Sequence, residues 1–185
     1  MNQNQEKKSL KSVISLIPGR TQGIECTGLH GSEKAYLVSR IYSEHKIPVF
    51  VLVSSSKQGE RFIEDLRFFS ESLPIINFPS YNILPFKFLS YHNETAAKRI
   101  SALYRLTEYN TPPIVVTTAD AVLQKLIPRK ELLDYTELIM EGEDTDPDAL
   151  VSKLVSGGYV RSAIVEEPGD FSIRGGILDI FSPLY

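Results

Sequence analysis

Strand-length apolar runs alternate with stretches of helical periodicity along the first two thirds of the chain. Most of these runs are rich in Val, Ile or Phe and lack strict alternation, which is typical of strands buried on both faces of a parallel sheet. Strand, helix and strand in succession imply right-handed crossovers, so the pattern predicts a doubly wound α/β sheet. The predicted strands are GIECTGL, PVFVLVS, PIINFPS and PIVVTTA (23–29, 48–54, 74–80 and 113–119), and the predicted helices are Ser32–His45, Lys57–Ser72 and Asn93–Glu108.

The last third of the chain follows a different pattern. ELIM (137–140) reads as a strand, and the acidic loop after it ends in Asp146 and Pro147, an N-cap followed by a proline at the first helical position. The predicted helix, Ala149–Val155, stops at a pair of glycines.

Three short strands follow that helix, joined by Glu-Pro-Gly-Asp and Gly-Gly turns. We therefore expect an α/β domain over residues 1–120 and a smaller antiparallel α+β module over residues 121–185, with the boundary between Thr118 and Lys130.

Composition excludes several classes of protein. About 42% hydrophobic and 23% charged residues indicate a globular chain, and a net charge of −3 provides no general basic field for nucleic acid. Cys26 is the only cysteine and the three histidines are scattered, so neither a disulfide framework nor a metal site is expected. Because no apolar run approaches the ~20 residues of a membrane span, we expect a cytoplasmic protein without membrane contact.

The run from Gly28 to Ala35, GLHGSEKA, has the frame of a phosphate-binding loop, G-x-x-x-x-G-K-[ST]. Glu33 replaces a glycine and brings a carboxylate to a place where phosphate would lie; one such like-charge pair costs ~1 kcal/mol in water and ~4 kcal/mol at an effective dielectric constant of 20. Ala35 replaces the hydroxyl that would ligate magnesium. Gly31 and Lys34 remain, but Lys34 alone cannot restore the site. We expect neither nucleotide binding nor catalysis.

Two further sets of residues bear on the alternatives. Asp120 is the acid that a nucleotide hydrolase would need on a neighbouring strand, but it is better explained as a cap of the following helix. Lys98, Arg99 and Arg105 read as a solvated helix face, with Ile100, Leu103, Tyr104 and Leu106 on the opposite side. A nucleotide-binding enzyme fragment and a DNA-binding module that uses these three basic residues stay open as alternatives.

Several motifs together resemble the UvrB-like region at the N-terminus of the bacterial transcription-repair coupling factors (Mfd). They are GLHGSEKA, EDLRFF, FPSYNILPF, RISALYRL, VVTTADAVLQKLIPR and GYVRSAIVEEPGDFSIRGGILDIFSP, and the last is the most specific. The resemblance covers nearly the whole chain from about residue 18. It implies a helicase-type fold with a degenerate phosphate loop, whose domain 1a is followed by most of a domain 2 that binds UvrA.

The same resemblance implies which residues bind the partner. UvrB has basic residues at the places of Arg161, Ser172 and Arg174, so two positions match and Ser172 departs, which implies weaker binding. Phe171, expected at a turn, would add an apolar anchor beside the arginines. Glu166 and Glu167 cannot form a catalytic pair, because neighbouring residues of a strand point to opposite faces.

The function implied is that of a non-catalytic module that recruits UvrA to RNA polymerase stalled at a lesion. It needs no cofactor, and contacts to RNA polymerase and DNA would be made by domains absent from this chain. Domain 2 of that family continues beyond Ile177–Phe181, so we also expect an open sheet edge there that is prone to pair with another chain.

Overall fold

The structure is a computed structural model that describes residues 9–17, 23–81 and 93–184. Most of the irregular stretch predicted over residues 80–90, and His92, lie outside the described residues. The chain divides into two compact units, Met1–Asn77 with Asn110–Val116 and Phe78–Tyr109 with Thr117–Tyr185. The division predicted near residue 120 concerns the domains of the resembling family and stays a prediction.

The described residues contain seven helices and six strands. The helices are α1 (Leu10–Ser15), α2 (Glu33–His45), α3 (Ser56–Phe69), α4 (Asn93–Thr107), α5 (Ala119–Leu123), α6 (Arg129–Asp134) and α7 (Pro147–Ser156). The strands are β1 (Val49–Val53), β2 (Ile75–Phe78), β3 (Ile114–Thr118), β4 (Val160–Arg161), β5 (Asp170–Arg174) and β6 (Ile177–Ile180). Among the helices of the described residues, none has both the length and the apolar character to cross a membrane.

The larger sheet is parallel, in the order β1-β3-β2, which confirms the predicted α/β class. Its strands β1, β2 and β3 lie where the apolar runs predicted them. Helices α2 and α3 pack on each other, and their apolar sides enclose the core with β3. The core residues are Ala35, Tyr42, Ile63, Leu66, Ile114 and Val116.

The strand predicted over residues 23–29 is wrong. These residues form no strand, and Ile24 is 37% exposed. The run has Glu25 near its middle and a glycine at each of positions 23 and 28, so it lacks the apolar side chains that a strand buried on both faces requires. Burial on both faces holds for all five residues of β3, but in β1 every second residue is exposed.

The small sheet has the order β4-β5-β6 and is mixed, so the predicted antiparallel module is wrong in one pairing. β5 and β6 are antiparallel, but β4 pairs with β5 in parallel. Residues 162–169 carry the chain back to the starting end of β4, so β5 then runs alongside it in the same direction. The strand predicted for ELIM is also absent, because residues 137–140 are exposed and form no ladder among the described residues.

The ends of α7 agree with the sequence. The Asp146 side chain accepts hydrogen bonds from the backbone N–H groups of Asp148 and Ala149, Pro147 begins the helix, and Gly157 is its C-cap. Helix α5 differs from the prediction in one detail. Its N-cap is Thr118, and Asp120, which was predicted as the cap, lies within its first turn. A hydrogen bond from the Ser80 side chain holds the pKa of Asp120 below its usual range.

Candidate functional site

The run GLHGSEKA forms a turn that leads into α2. Gly28 and Gly31 both have positive φ, 80° and 58°, which favours glycine at these two positions. The loop then enters α2 at Ser32, whose side chain makes no capping hydrogen bond. The glycine positions of the motif are therefore used for a turn into a helix.

Glu33 makes two hydrogen bonds to His30 within this turn. Its Oε2 accepts a hydrogen bond from the backbone N–H of His30 at 2.6 Å, and its own N–H donates to the His30 carbonyl at 3.4 Å. A carboxylate of the chain thus engages a backbone donor of the kind that phosphate oxygens use in an intact loop. Ala35 is fully buried in the core and Lys34 is exposed. The part of the chain that the structure describes also holds no group of three or more acidic, His or Cys side chains placed to bind a metal.

The arginines of the small sheet are exposed. Arg174 ends β5, and its Nη2 donates to Asp179 Oδ2 on β6 at 2.6 Å. In the β5–β6 register Asp179 faces Ser172, so the ion pair runs diagonally across the ladder. The two side chains remain 68% and 37% exposed. An exposed pair of this kind contributes little, ~0.2–1 kcal/mol, so Arg174 can exchange Asp179 for another anion at small cost.

Arg161 lies on β4, opposite Phe171 in the parallel register. It is exposed, and no ion pair engages its guanidinium within the described residues. Because facing residues of a ladder share a face and neighbours alternate, Arg161 belongs to the face of Phe171 and Arg174 to that of Ser172. The small sheet thus presents the two arginines separately, one on the β4 edge and one at the end of β5.

The predicted location of Phe171 is wrong. It lies within β5, not at a turn, and is fully buried, as is its neighbour Ser172 at 2% exposure. The Ser172 hydroxyl donates to the Ala163 carbonyl at 3.3 Å. Phe171 is thus a core residue of the small sheet, and neither side chain is available to a partner in this conformation. Burial of the ring follows from the pairing of β5 between two strands, which the turn signals alone did not indicate.

Glu166 and Glu167 lie in the connection between β4 and β5 and not on a strand. The argument that they point to opposite faces of a strand, and so cannot form a catalytic pair, therefore does not hold. Their backbone N–H groups donate to Asp170 Oδ2 at 3.2 and 3.1 Å, which shapes the turn. The Glu167 carboxylate accepts from the side-chain amide of Asn93 at 2.9 Å. These contacts give both residues a structural role.

Arg99 is the residue whose role the sequence concealed. It is 2% exposed, with its guanidinium between the rings of Phe78 and Tyr81 at 4.3 and 4.5 Å from their centroids. Its Nη1 donates to the Pro79 carbonyl at 2.7 Å, and burial lowers its pKa. The prediction that Arg99 lies on a solvated face of α4 is thus wrong, whereas Lys98 and Arg105 are exposed as predicted.

The buried Arg99 weakens the DNA-binding alternative. Of the three basic residues that this alternative requires, Arg99 is enclosed and Lys98 pairs with Glu94 at 2.6 Å. The Arg99 side chain contacts two aromatic rings and a backbone carbonyl. The helical periodicity of the sequence does not reveal these contacts.

A family model and curated relatives both match this chain. The family model of the UvrB interaction domain matches residues 138–185, which contain α7 and the whole small sheet. The chain is 30% identical over 180 residues to the transcription-repair-coupling factor of Bacillus subtilis (strain 168), which covers 95% of this chain and 15% of that protein. The factor of Myxococcus xanthus is 29% identical over 170 residues, with 89% of this chain and 14% of that protein covered.

The chain therefore spans about one seventh of the length of these curated relatives. Its likeness nevertheless runs through both the α/β unit and the small sheet. Residues 138–185 match the model of the UvrB interaction domain, and over nearly its whole length the chain is similar to one part of the transcription-repair-coupling factors.

Proposed function

We propose that the chain is a non-catalytic UvrB-like module that binds UvrA in transcription-coupled nucleotide excision repair. The observation that carries the proposal is the position of Arg161 and Arg174, both exposed on the small sheet within the residues that the UvrB interaction domain matches. Arginine is enriched at the energetic centres of protein interfaces, because its guanidinium makes several directed hydrogen bonds.

Arg161 and Arg174 would contribute differently to UvrA binding. Arg161 is free of intramolecular ion pairs in the described residues, so it can meet a carboxylate of the partner directly. Arg174 must first be released from, or shared with, Asp179. Ser172, a basic residue in UvrB by the resemblance, is buried and neutral here. The surface should therefore bind UvrA more weakly than UvrB does.

The α/β unit would act as a scaffold in this proposal. We infer a helicase-type origin for its fold from the glycines with positive φ before α2, and a loss of nucleotide binding from Glu33 and Ala35. Domain 1a would then cover about residues 1–120 and domain 2 residues 121–185. The finer function, delivery of UvrA to RNA polymerase stalled at a lesion, is supported by the name of the relatives and would require parts of those longer proteins.

Calorimetric titration of UvrA with the wild-type chain tests this function. We expect saturable 1:1 binding that weakens as salt rises, and at least a tenfold loss in the double variant R161A/R174A, since truncating one partner of an interfacial charge pair typically costs ~2–5 kcal/mol. Excess UvrB should compete. Binding by a folded double variant at the wild-type affinity would place the interface elsewhere, and absence of any binding to UvrA would refute the function.

A further inference from the structure

An exposed segment before α7 has both apolar and acidic character. Leu138, Ile139 and Met140 are 78%, 53% and 49% exposed. Glu141, Glu143 and Asp144 follow directly, and from Glu137 to Asp148 the chain has six acidic residues and no basic one. We call residues 138–144 the acidic docking segment. Three consecutive exposed apolar side chains, next to carboxylates without an ion-pair partner among residues 9–17, 23–81 and 93–184, are unusual for a surface without a binding partner.

The backbone of this segment is also available. The N–H and C=O groups of Leu138 and Ile139 have no hydrogen-bond partner in the described part of the chain. The Glu143 N–H donates to the Met140 carbonyl at 3.3 Å, and Gly142 has φ 85°, so a tight turn closes the segment. Free donors and acceptors beside exposed apolar side chains are what an added strand pairs with.

Both ends of the segment are fixed to α7. Lys153 binds the Glu137 carboxylate, and its Nζ also donates to the Thr136 carbonyl at 3.1 Å. At the other end the Asp146 side chain caps the N-terminus of the same helix. The helix thus holds the segment at two points and presents the residues between them, which reduces the conformational entropy that a partner must remove on binding.

We propose that the acidic docking segment binds an extended, basic segment of another protein, which pairs with Leu138–Met140 as an added strand and places Lys or Arg side chains against Glu141, Glu143 and Asp144. Charge decides between the possible occupants. A second copy of the same segment would bring six carboxylates together, and a nucleic acid would add its phosphates to three. A basic chain with alternating apolar residues satisfies the backbone, the apolar side chains and the charges together. This surface is opposite in charge to the arginines of the proposed UvrA site and is independent of them.

The test uses the whole 185-residue chain and a blocked octapeptide of alternating Lys and Val, with a Glu–Val octapeptide as the matched probe. Amide NMR should show shifts and slowed exchange confined to residues 138–144 with the Lys–Val peptide, and none with the Glu–Val peptide. The triple variant E141Q/E143Q/D144N should weaken binding about eightfold, since each of three exposed ion pairs contributes a factor of roughly two. Ile139→Pro, which removes a backbone donor, should abolish the slowed exchange while leaving the rest of the spectrum in place.

A charge-matched control is E60Q/E64Q/E71Q, three exposed acids of the first unit, and it should bind the peptide like the wild type. The proposal is overturned if the Lys–Val peptide shifts no amide of residues 138–144, if it protects the β6 edge at Ile177–Ile180 instead, or if both octapeptides bind equally. An equal loss in the two triple variants would also overturn it, because attraction would then depend only on net charge.

Discussion

The loop before α2 and the small sheet use charged side chains in opposite ways. In the loop, the exposed Glu33 carboxylate accepts the His30 N–H of its own chain. On the small sheet, Arg161 and Arg174 extend outward, and Arg174 is held only by an exposed ion pair. In the loop, the carboxylate competes with a phosphate for a backbone donor and repels its charge. On the small sheet, the exposed and weakly held arginines stay available to an acidic partner.

The two regions also differ in how many apolar side chains they bury. The parallel sheet packs against α2 and α3 through a contiguous set of buried side chains that includes Leu66, Ile114 and Val116. Between residues 137 and 184 the buried apolar side chains are Leu154 and Phe171. A region that buries few side chains leaves more of them exposed. The small sheet therefore has more side chains available to bind another protein.

The largest expected effect is that of Phe171→Ala, because it removes a fully buried ring from the thinner core. We expect a loss of ~3–5 kcal/mol in the stability of the small sheet. Hydrogen exchange should show faster exchange at Ile173 and Leu178 than at Val115 of β3. Phe171→Leu, which keeps most of the volume, should cost less than ~1.5 kcal/mol. Unchanged exchange at β5 in the alanine variant would mean that the ring does not hold the sheet together.

Arg99→Ala should have the next largest effect, ~2–4 kcal/mol, because it removes a guanidinium buried between two rings and its hydrogen bond to Pro79. The adjacent Lys98→Ala is the control. Lys98 makes an exposed pair with Glu94, whose loss should cost only ~0.3–0.5 kcal/mol. Chemical denaturation of both variants measures the difference. Equal, small losses at the two positions would show that the Arg99 stack carries no stability.

Tyr42→Phe should stabilise the first unit by ~1 kcal/mol. The ring is 2% exposed, its hydroxyl oxygen has no hydrogen-bond partner in the described residues, and burial raises its pKa. Removing a buried, unpaired hydroxyl relieves its desolvation penalty while the ring stays packed. The midpoint of urea denaturation should rise. A lower midpoint would indicate that the hydroxyl has a partner in solution.

The smallest expected effect is that of added nucleotide, which should not bind to the chain. Titration with ATP and Mg²⁺ should give no heat of binding and no shift in melting temperature, because Glu33 already accepts a loop N–H and Ala35 cannot ligate the metal. Glu33→Gly with Ala35→Thr should restore weak binding at most. A micromolar site in the wild type that disappears in Lys34→Ala would contradict the scaffold role of the first unit.

The sequence predicted the helix ends and strands that depend on residues close together in the chain. Helix α7 begins at Asp146 and Pro147 because a cap and a proline act within one turn, and β1, β2 and β3 lie in their apolar runs. The failures concern pairing partners that are distant in sequence. Residues 23–29 and 137–140 form no ladder among the described residues, and β4 pairs in parallel because the connection of residues 162–169 returns the chain to its start.

Exposure and burial of the candidate site residues were predicted in part for the same reason. Arg161 and Arg174 are exposed, as a binding surface requires, but Phe171 is in the core, because its place in a central strand depends on both neighbouring strands. Arg99 could not be recognised as buried, since its two aromatic partners lie about 20 residues earlier in the chain, beyond any helical periodicity.

The affinity of UvrA for two single variants of one ion pair tests the central claim most directly. Arg174→Ala removes the proposed contact, whereas Asp179→Asn removes the intramolecular carboxylate that competes for it. If the small sheet binds UvrA through Arg174, calorimetry should show at least tenfold weaker binding for R174A and binding a few-fold tighter than wild type for D179N. Equal affinities for the two variants and the wild type, with the β5–β6 pair still folded by hydrogen exchange, would contradict the claim.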